Sequence, residues 1–137
     1  MPETPVKDIA SHFFTIIKSL RHQLDMNHPV AQMSLAQCEA LRFICDQKQV
    51  TMKEVADFLL ITPPSTTVLI ENLVKLGFVQ RSNASTDRRT ILLTLTNSGK
   101  EVLKTAMKQR DKSFRKLLKN LSHTEQTQLL HILNKVS

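Results

Sequence analysis

The chain has 137 residues, 19 Lys and Arg against 12 Asp and Glu for a net charge of +7, two Gly, no Trp and no Tyr. That length suits one domain with a sizeable core, and the basic balance points to a polyanionic partner, nucleic acid before an anionic membrane surface. Two glycines cannot supply a glycine-rich phosphate cradle, and neither G-x-x-x-x-G-K nor G-x-S-x-G occurs, which argues against nucleotide hydrolysis and serine-hydrolase chemistry.

The first residues, Met-Pro-Glu-Thr-Pro-Val-Lys-Asp, lack the basic segment and apolar run of a signal peptide. The longest uncharged stretches, 26–38 and 58–70, are 13 residues each and contain Pro, too short and too broken to span a bilayer. A cytoplasmic protein without a membrane partner is expected. Thr4-Pro5 opens the first helix, expected over 5–26, where Val6, Ile9, Ala10, Phe13, Ile16, Ile17, Leu20 and Leu24 repeat at three and four. The second helix, 35–47, starts at the capping box Ser34-Leu-Ala-Gln37. It carries Cys38 and Cys45, seven residues and therefore about 10 Å apart, beyond disulfide reach; both sit at apolar-periodic positions and are expected in the core.

The box Thr51-Met-Lys-Glu54 opens a short helix over 52–59, and after Leu60-Ile61-Thr62 a further helix, 63–76, begins Pro63-Pro64-Ser65-Thr66-Thr67. Two helices at this spacing describe a helix-turn-helix, and the second presents Ser65, Thr67 and a positive dipole end in its first turn. Gly77 ends that helix, where a left-handed residue is wanted. One hairpin follows, with strand character at 78–81 and 90–95 and a polar loop over 82–87. The loop ends in Asp87-Arg88-Arg89; residues i and i+2 of a strand share a face, so Asp87 is expected to hold the Arg89 guanidinium. An Arg so placed suits a narrow A·T-type minor groove.

The last two helices are expected at 97–120, opened by Gly99, and at 123–135, after the box Ser122-His-Thr-Glu125. In the longer one Lys100, Lys104, Lys108, Lys112, Arg115 and Lys119 form a basic stripe. A solvated surface, acidic residues of a second copy such as Glu3, Asp8 or Asp25, and DNA backbone or an anionic ligand all remain open as its explanation. The basic excess lies late in the chain, with seven basic and eight acidic residues up to Gln80, and twelve and four after it. The five His and two Cys form no metal-ligand spacing, no nucleophile–base pair can be assembled, and no cofactor is expected. All six Phe are expected in helices or a strand, every one except Phe14 at an apolar-periodic position, which leaves no stacking platform for single-stranded nucleic acid.

Ser34–Ile44, Thr51–Ala56, Thr62–Thr67, Leu73–Val79, the Arg81-x5-Asp87-Arg88-Arg89 run and Leu95-Thr-Asn-Ser-Gly99 together resemble the MarR family, the multiple-antibiotic-resistance type regulators. The resemblance implies a mainly α fold of six helices with one β-hairpin wing, a single domain over 1–137 whose winged helix-turn-helix lobe is 34–96. Helices in 1–27 and 97–137 would then form a homodimer. It implies a sequence-specific repressor that is not an enzyme, bound to a near-palindromic duplex operator through Pro64, Ser65, Thr67, Val68 and Asn72 of the 63–76 helix and Arg81, Ser85, Asp87, Arg88 and Arg89 of the wing. It further implies release by a small aromatic or anionic effector, for which His12, Phe13, Ile16, Arg42 and Met52 are candidates by location. Val68 departs from the Arg or Gln common there; a Val can touch a thymine methyl but cannot read guanine bidentately. A winged-helix module that binds protein instead of DNA is the alternative.

Overall fold

The computed structural model describes residues 5–22, 33–84 and 86–137, apart from the side chains of Arg21, His22 and Arg88. The elements are α1 (Val6–His22), α2 (Leu35–Gln47), β1 (Val50–Thr51), α3 (Met52–Leu59), α4 (Pro63–Lys75), β2 (Val79–Ala84), β3 (Asp87–Leu95), α5 (Asn97–Leu118) and α6 (His123–Val136). Thr4 and the expected helical residues 23–26 lie outside the described residues.

Local chemistry sets the helix starts. Ser34, Thr51 and Ser122 each accept from the backbone N–H three residues on, while the side chains of Gln37, Glu54 and Glu125 accept from the cap N–H groups. Such a cap is worth about 1 kcal/mol. The hydrogen bonds from Ser122 hold the exposed Glu125 carboxyl below its ordinary range, so this cap's contribution is present above that range and lost as pH falls through the depressed value. At α4, Thr62 accepts from the Ser65 N–H, with Pro63 and Pro64 filling positions whose own donors would be unpaired.

Residues 25–107 and the combination of 1–24 with 108–137 form two compact units. In the first, Ala40, Leu41 and Ile44 of α2, Val55 of α3, Ile70 and Leu73 of α4, Val50, Val79 and Leu93 of the strands, and Val102 and Leu103 of α5 make one buried cluster. The sheet has three antiparallel strands in the order β1-β3-β2, which corrects the expectation of a lone hairpin. Val50 and Thr51 lie opposite Leu93 and Leu92; a two-residue strand has no periodicity of its own to read. The hairpin is also tighter than expected. The ladder continues to Asn83 opposite Ile91, shifts there, and pairs Ala84 with Asp87, so most of the supposed loop is strand.

The turn between α3 and α4 passes through Leu60 in the left-handed region, φ 55°, its N–H donating to the Ala56 carbonyl. Gly77 ends α4 at φ 80° as expected. Gly99 serves a different purpose from the conformational one assigned by sequence. It is buried, and a Cβ there would overlap the Phe78 carbonyl oxygen and stand 3.0 Å from its carbon. Thr96 organises the same junction: its N–H donates to the Phe78 carbonyl at 3.1 Å, its hydroxyl donates to the Gly77 carbonyl, and its Oγ1 accepts from the Gly99 N–H at 3.0 Å.

In the terminal unit, α6 has no buried residue. Val6, Ile9, Phe13, Phe14 and Ile17 of α1 and Leu130, Ile132, Leu133 and Val136 of α6 are all exposed. The Phe expectation fails in part, since Phe13, Phe58 and Phe114 are also exposed and Phe78 lies just before β2. Cys38 is half-buried against the core, whereas Cys45 is exposed in the last turn of α2, a correction to the core placement. Burial, with a smaller contribution from the Glu39 carboxylate, pushes the Cys38 thiol up. Cys45 is therefore expected to react first with an alkylating reagent at neutral pH, read by mass spectrometry of the singly labelled chain; equal labelling of both thiols would contradict this.

Candidate nucleic-acid interface

The core fixes which side of α4 faces outward. Thr66, Ile70 and Leu73 are buried, and the buried Thr66 hydroxyl is satisfied by the Thr62 carbonyl at 2.9 Å. Pro64, Ser65, Thr67, Val68 and Asn72 then lie exposed on the other side, Val68 at 60%. The two hydroxyls there are set up differently. Ser65 accepts from the Thr62 hydroxyl at 3.0 Å, which leaves its own O–H to donate; Thr67 donates to the Pro63 carbonyl at 3.1 Å, which leaves its oxygen to accept. Glu71 and Lys75 share this exposed surface. They were missed by residue type, although three- and four-residue steps from Thr67, Val68 and Asn72 reach both.

On the hairpin, Arg81 and Arg89 are exposed. Ser85 and the side chain of Arg88 lie outside the described residues. Asp87 does not hold the Arg89 guanidinium as expected. Its Oδ1 accepts from the Arg89 backbone N–H at 2.9 Å and its Oδ2 from the Thr90 hydroxyl at 3.3 Å, and no ion pair joins Asp87 to Arg89 among the described residues. A carboxylate at a turn caps the backbone two residues on more readily than it reaches a long side chain. Asp87 thus shapes the hairpin end and leaves the Arg89 charge free.

The effector candidates fall in both units. His12, Phe13 and Ile16 are exposed on α1. Met52 is half-buried at the start of α3, packed against the core. Arg42 of α2 pairs with Glu39 at 2.8 Å and Asp46 at 3.4 Å, and its guanidinium carbon stands 5.8 Å from the Phe58 ring centre. Its charge is already engaged, which leaves little for an anion.

A capped helix, a three-residue turn, a second helix with its polar side outward and an adjoining arginine-bearing hairpin define a winged helix-turn-helix protein. The MarR family pattern matches residues 31–90. An HTH-type transcriptional regulator of Mycobacterium tuberculosis is 30% identical over 117 residues, 85% of this chain and 82% of that one. YwhA, an HTH-type transcriptional regulator of Bacillus subtilis, is 28% identical over 97 residues, 71% of this chain and 70% of that one. The chain belongs to the MarR family of helix-turn-helix transcriptional regulators and is not an enzyme. Its fold is that of a cysteine-to-serine mutant of MarR from E. coli solved with operator DNA, at a TM-score of 0.77, 22% identity and coverage of 96% of this chain and 94% of that one. It is also that of SlyA, at a TM-score of 0.78, 19% identity and coverage of 94% and 91%. Among the described residues no helix is long and apolar enough to cross a membrane.

Proposed function

We propose that the protein is a cytoplasmic, homodimeric repressor that reads a near-palindromic duplex operator, with α4 in the major groove and the hairpin in the flanking minor groove. The observation that carries this reading is the division of α4, whose Thr66-Ile70-Leu73 side is locked into the core while Pro64, Ser65, Thr67, Val68 and Asn72 face outward. Ser65 and Thr67 offer a donor and an acceptor to base edges or phosphates. Arg81 and Arg89, with Ser85, Asp87 and Arg88 at the hairpin end, supply the second contact, and a free Arg suits the negative potential of a narrow minor groove. In this reading residues 34–96 are the reading lobe, and 1–27 with 97–137 the dimerisation helices of a single domain.

The dimer is supported by the apolar side chains that α1 and α6 leave in water, since exposed apolar surface of this extent marks an interface. Release by a small aromatic or anionic molecule rests on the family resemblance. His12, Phe13, Ile16 and Met52 are its candidates, with Arg42 a candidate for an aromatic rather than an anionic group because Glu39 and Asp46 already hold its charge, and differential affinity for two arrangements of the dimer is what such control requires.

Selection of duplexes from a random pool tests the reading. It is expected to enrich a near-palindrome with half-sites about one helical turn apart, bound with a steep loss of affinity as salt rises. Absence of enrichment would favour a protein-interaction module. Val68 gives a sharper outcome: Val68→Arg is expected to tighten binding by roughly tenfold to variants of the enriched duplex carrying guanine opposite that position, about 1–3 kcal/mol for a bidentate contact. Unchanged preference across such variants would show that residue 68 does not face the groove.

A further inference from the structure

The charge of this chain divides unevenly between its two units. Residues 1–24 with 108–137 hold ten Lys or Arg against four Asp or Glu, or +6, while residues 25–107 hold nine against eight, or +1. The unit containing the candidate reading surface is thus nearly neutral, and almost all of the excess lies elsewhere.

We propose that the exposed cationic face of α5 is a second, sequence-independent contact surface for the phosphates of duplex DNA, separate from α4 and the hairpin. This rests on the reading of the chain as a DNA-binding protein. Lys100, Lys104, Lys108 and Lys112 recur every four residues and are all exposed, and Arg115 and Lys119 extend the row. Each four-residue step advances about 6 Å and turns about 40° around the helix, so the five cations within α5 occupy one side over about 22 Å, with Lys119 just past its end. Like charges four apart cost a few tenths of a kcal/mol per pair, a cost that water alone does not return.

Among the described residues no ion pair neutralises the row. On α5 only Glu101 and Asp111 are acidic, and Asp111 pairs at 3.0 Å with Arg110, which is not in the row. A second copy of the terminal unit brings a further +6. A membrane surface is a poor occupant, because an interfacial helix needs a free apolar side to insert. Val102 and Leu103 are buried, Met107 packs against the core, and Leu117 and Leu118 are half-buried, which leaves Phe114 as the one large apolar side chain of α5 exposed. A duplex, with a charge about every 1.7 Å of its axis, offers phosphates enough for the whole row and needs no apolar contact.

The test is the triple variant Lys104→Gln, Lys108→Gln, Lys112→Gln, titrated by fluorescence anisotropy on a random-sequence duplex and on the enriched duplex over a series of salt concentrations. Each phosphate contact contributes about 0.9 to the log–log salt slope, so the slope is expected to fall by roughly two to three. Affinity is expected to fall about tenfold or more on both duplexes, with the ratio between them unchanged. The corresponding triple Lys→Arg variant should retain the wild-type slope, which ties the loss to charge. A Gln variant with wild-type slope and affinity overturns the proposal, as does one that loses binding only to phosphatidylglycerol vesicles. Wild-type protein that binds no duplex at all overturns both this proposal and the reading beneath it.

Discussion

Arg89→Ala is expected to weaken binding to the enriched duplex by roughly ten- to a hundredfold, about 1–3 kcal/mol, while sedimentation still shows the dimer. The guanidinium is exposed and unpaired with Asp87, so its removal takes no support from the fold. The loss should be concentrated on the A·T-rich flank of the duplex and should shrink when that flank is replaced by G·C, because the narrow groove supplies the attraction. Asp87 sharpens the test. Its two oxygens cap the Arg89 N–H and the Thr90 hydroxyl, and Asn retains an acceptor for the first of these. Asp87→Asn is therefore expected to bind nearly as well as wild type and Asp87→Ala to bind markedly worse. Equal losses in both variants would restore the ion-pair role that the geometry denies. Loss of the dimer in Arg89→Ala would remove Arg89 from the DNA interface altogether.

The second expected effect is on stability, at Gly99. Ala has a helix propensity about 1 kcal/mol better than Gly, so on propensity alone Gly99→Ala would stabilise α5. The opposing effect is steric: the new methyl overlaps the Phe78 carbonyl oxygen, a backbone atom fixed by the Thr96 N–H at 3.1 Å. Overpacking against an atom that cannot swing away costs about 1–3 kcal/mol, and parting α5 from Phe78 also strains the Thr96 hydroxyl bridge. The net expectation is a loss of about 1 kcal/mol, approaching 2 where the hydroxyl bridge is strained as well, and a Tm lower by a few degrees, measured by calorimetry. Gly77→Ala is the internal control. A Cβ there meets nothing within 4 Å, so only the positive φ is penalised, by about 1–2 kcal/mol. A Gly99→Ala protein as stable as wild type would mean that the close approach relaxes without cost.

What the sequence made legible was what local chemistry determines. A Ser or Thr with Glu or Gln three residues on marks a helix start because both halves of the bond lie within one turn, and α2, α3 and α6 begin where those boxes predict. The three-residue turn at 60–62 and the outward set on α4 were equally readable, the latter because Ile70 and Leu73 fix the inward side. Features that depend on distant partners were not. β1 exists only because Val50 and Thr51 find Leu93 and Leu92 some forty residues away. Cys45 has the spacing of a core residue but falls in the last turn of α2, past the end of the packed cluster. Gly99 looked like a boundary marker, and its reason is the backbone of Phe78, a neighbour no periodicity names.

Asp87 failed for a different reason. Strand alternation puts residues 87 and 89 on one side, yet the short carboxylate closed on the nearer backbone N–H before the guanidinium could reach it. The exposed apolar residues of α1 and α6 are the converse case. The apolar repeat of the first helix marks one side of α1, yet among the described residues nothing buries Val6, Ile9, Phe13 or Ile17.

The Thr96 junction has a mechanical meaning. A single hydroxyl ties the carbonyl that follows α4 to the first turn of α5, with the Phe78 backbone pressed against Gly99 between them. One side chain therefore serves two helix ends at once, so that losing the Thr96 hydroxyl would leave both the Gly77 carbonyl and the Gly99 N–H without this partner.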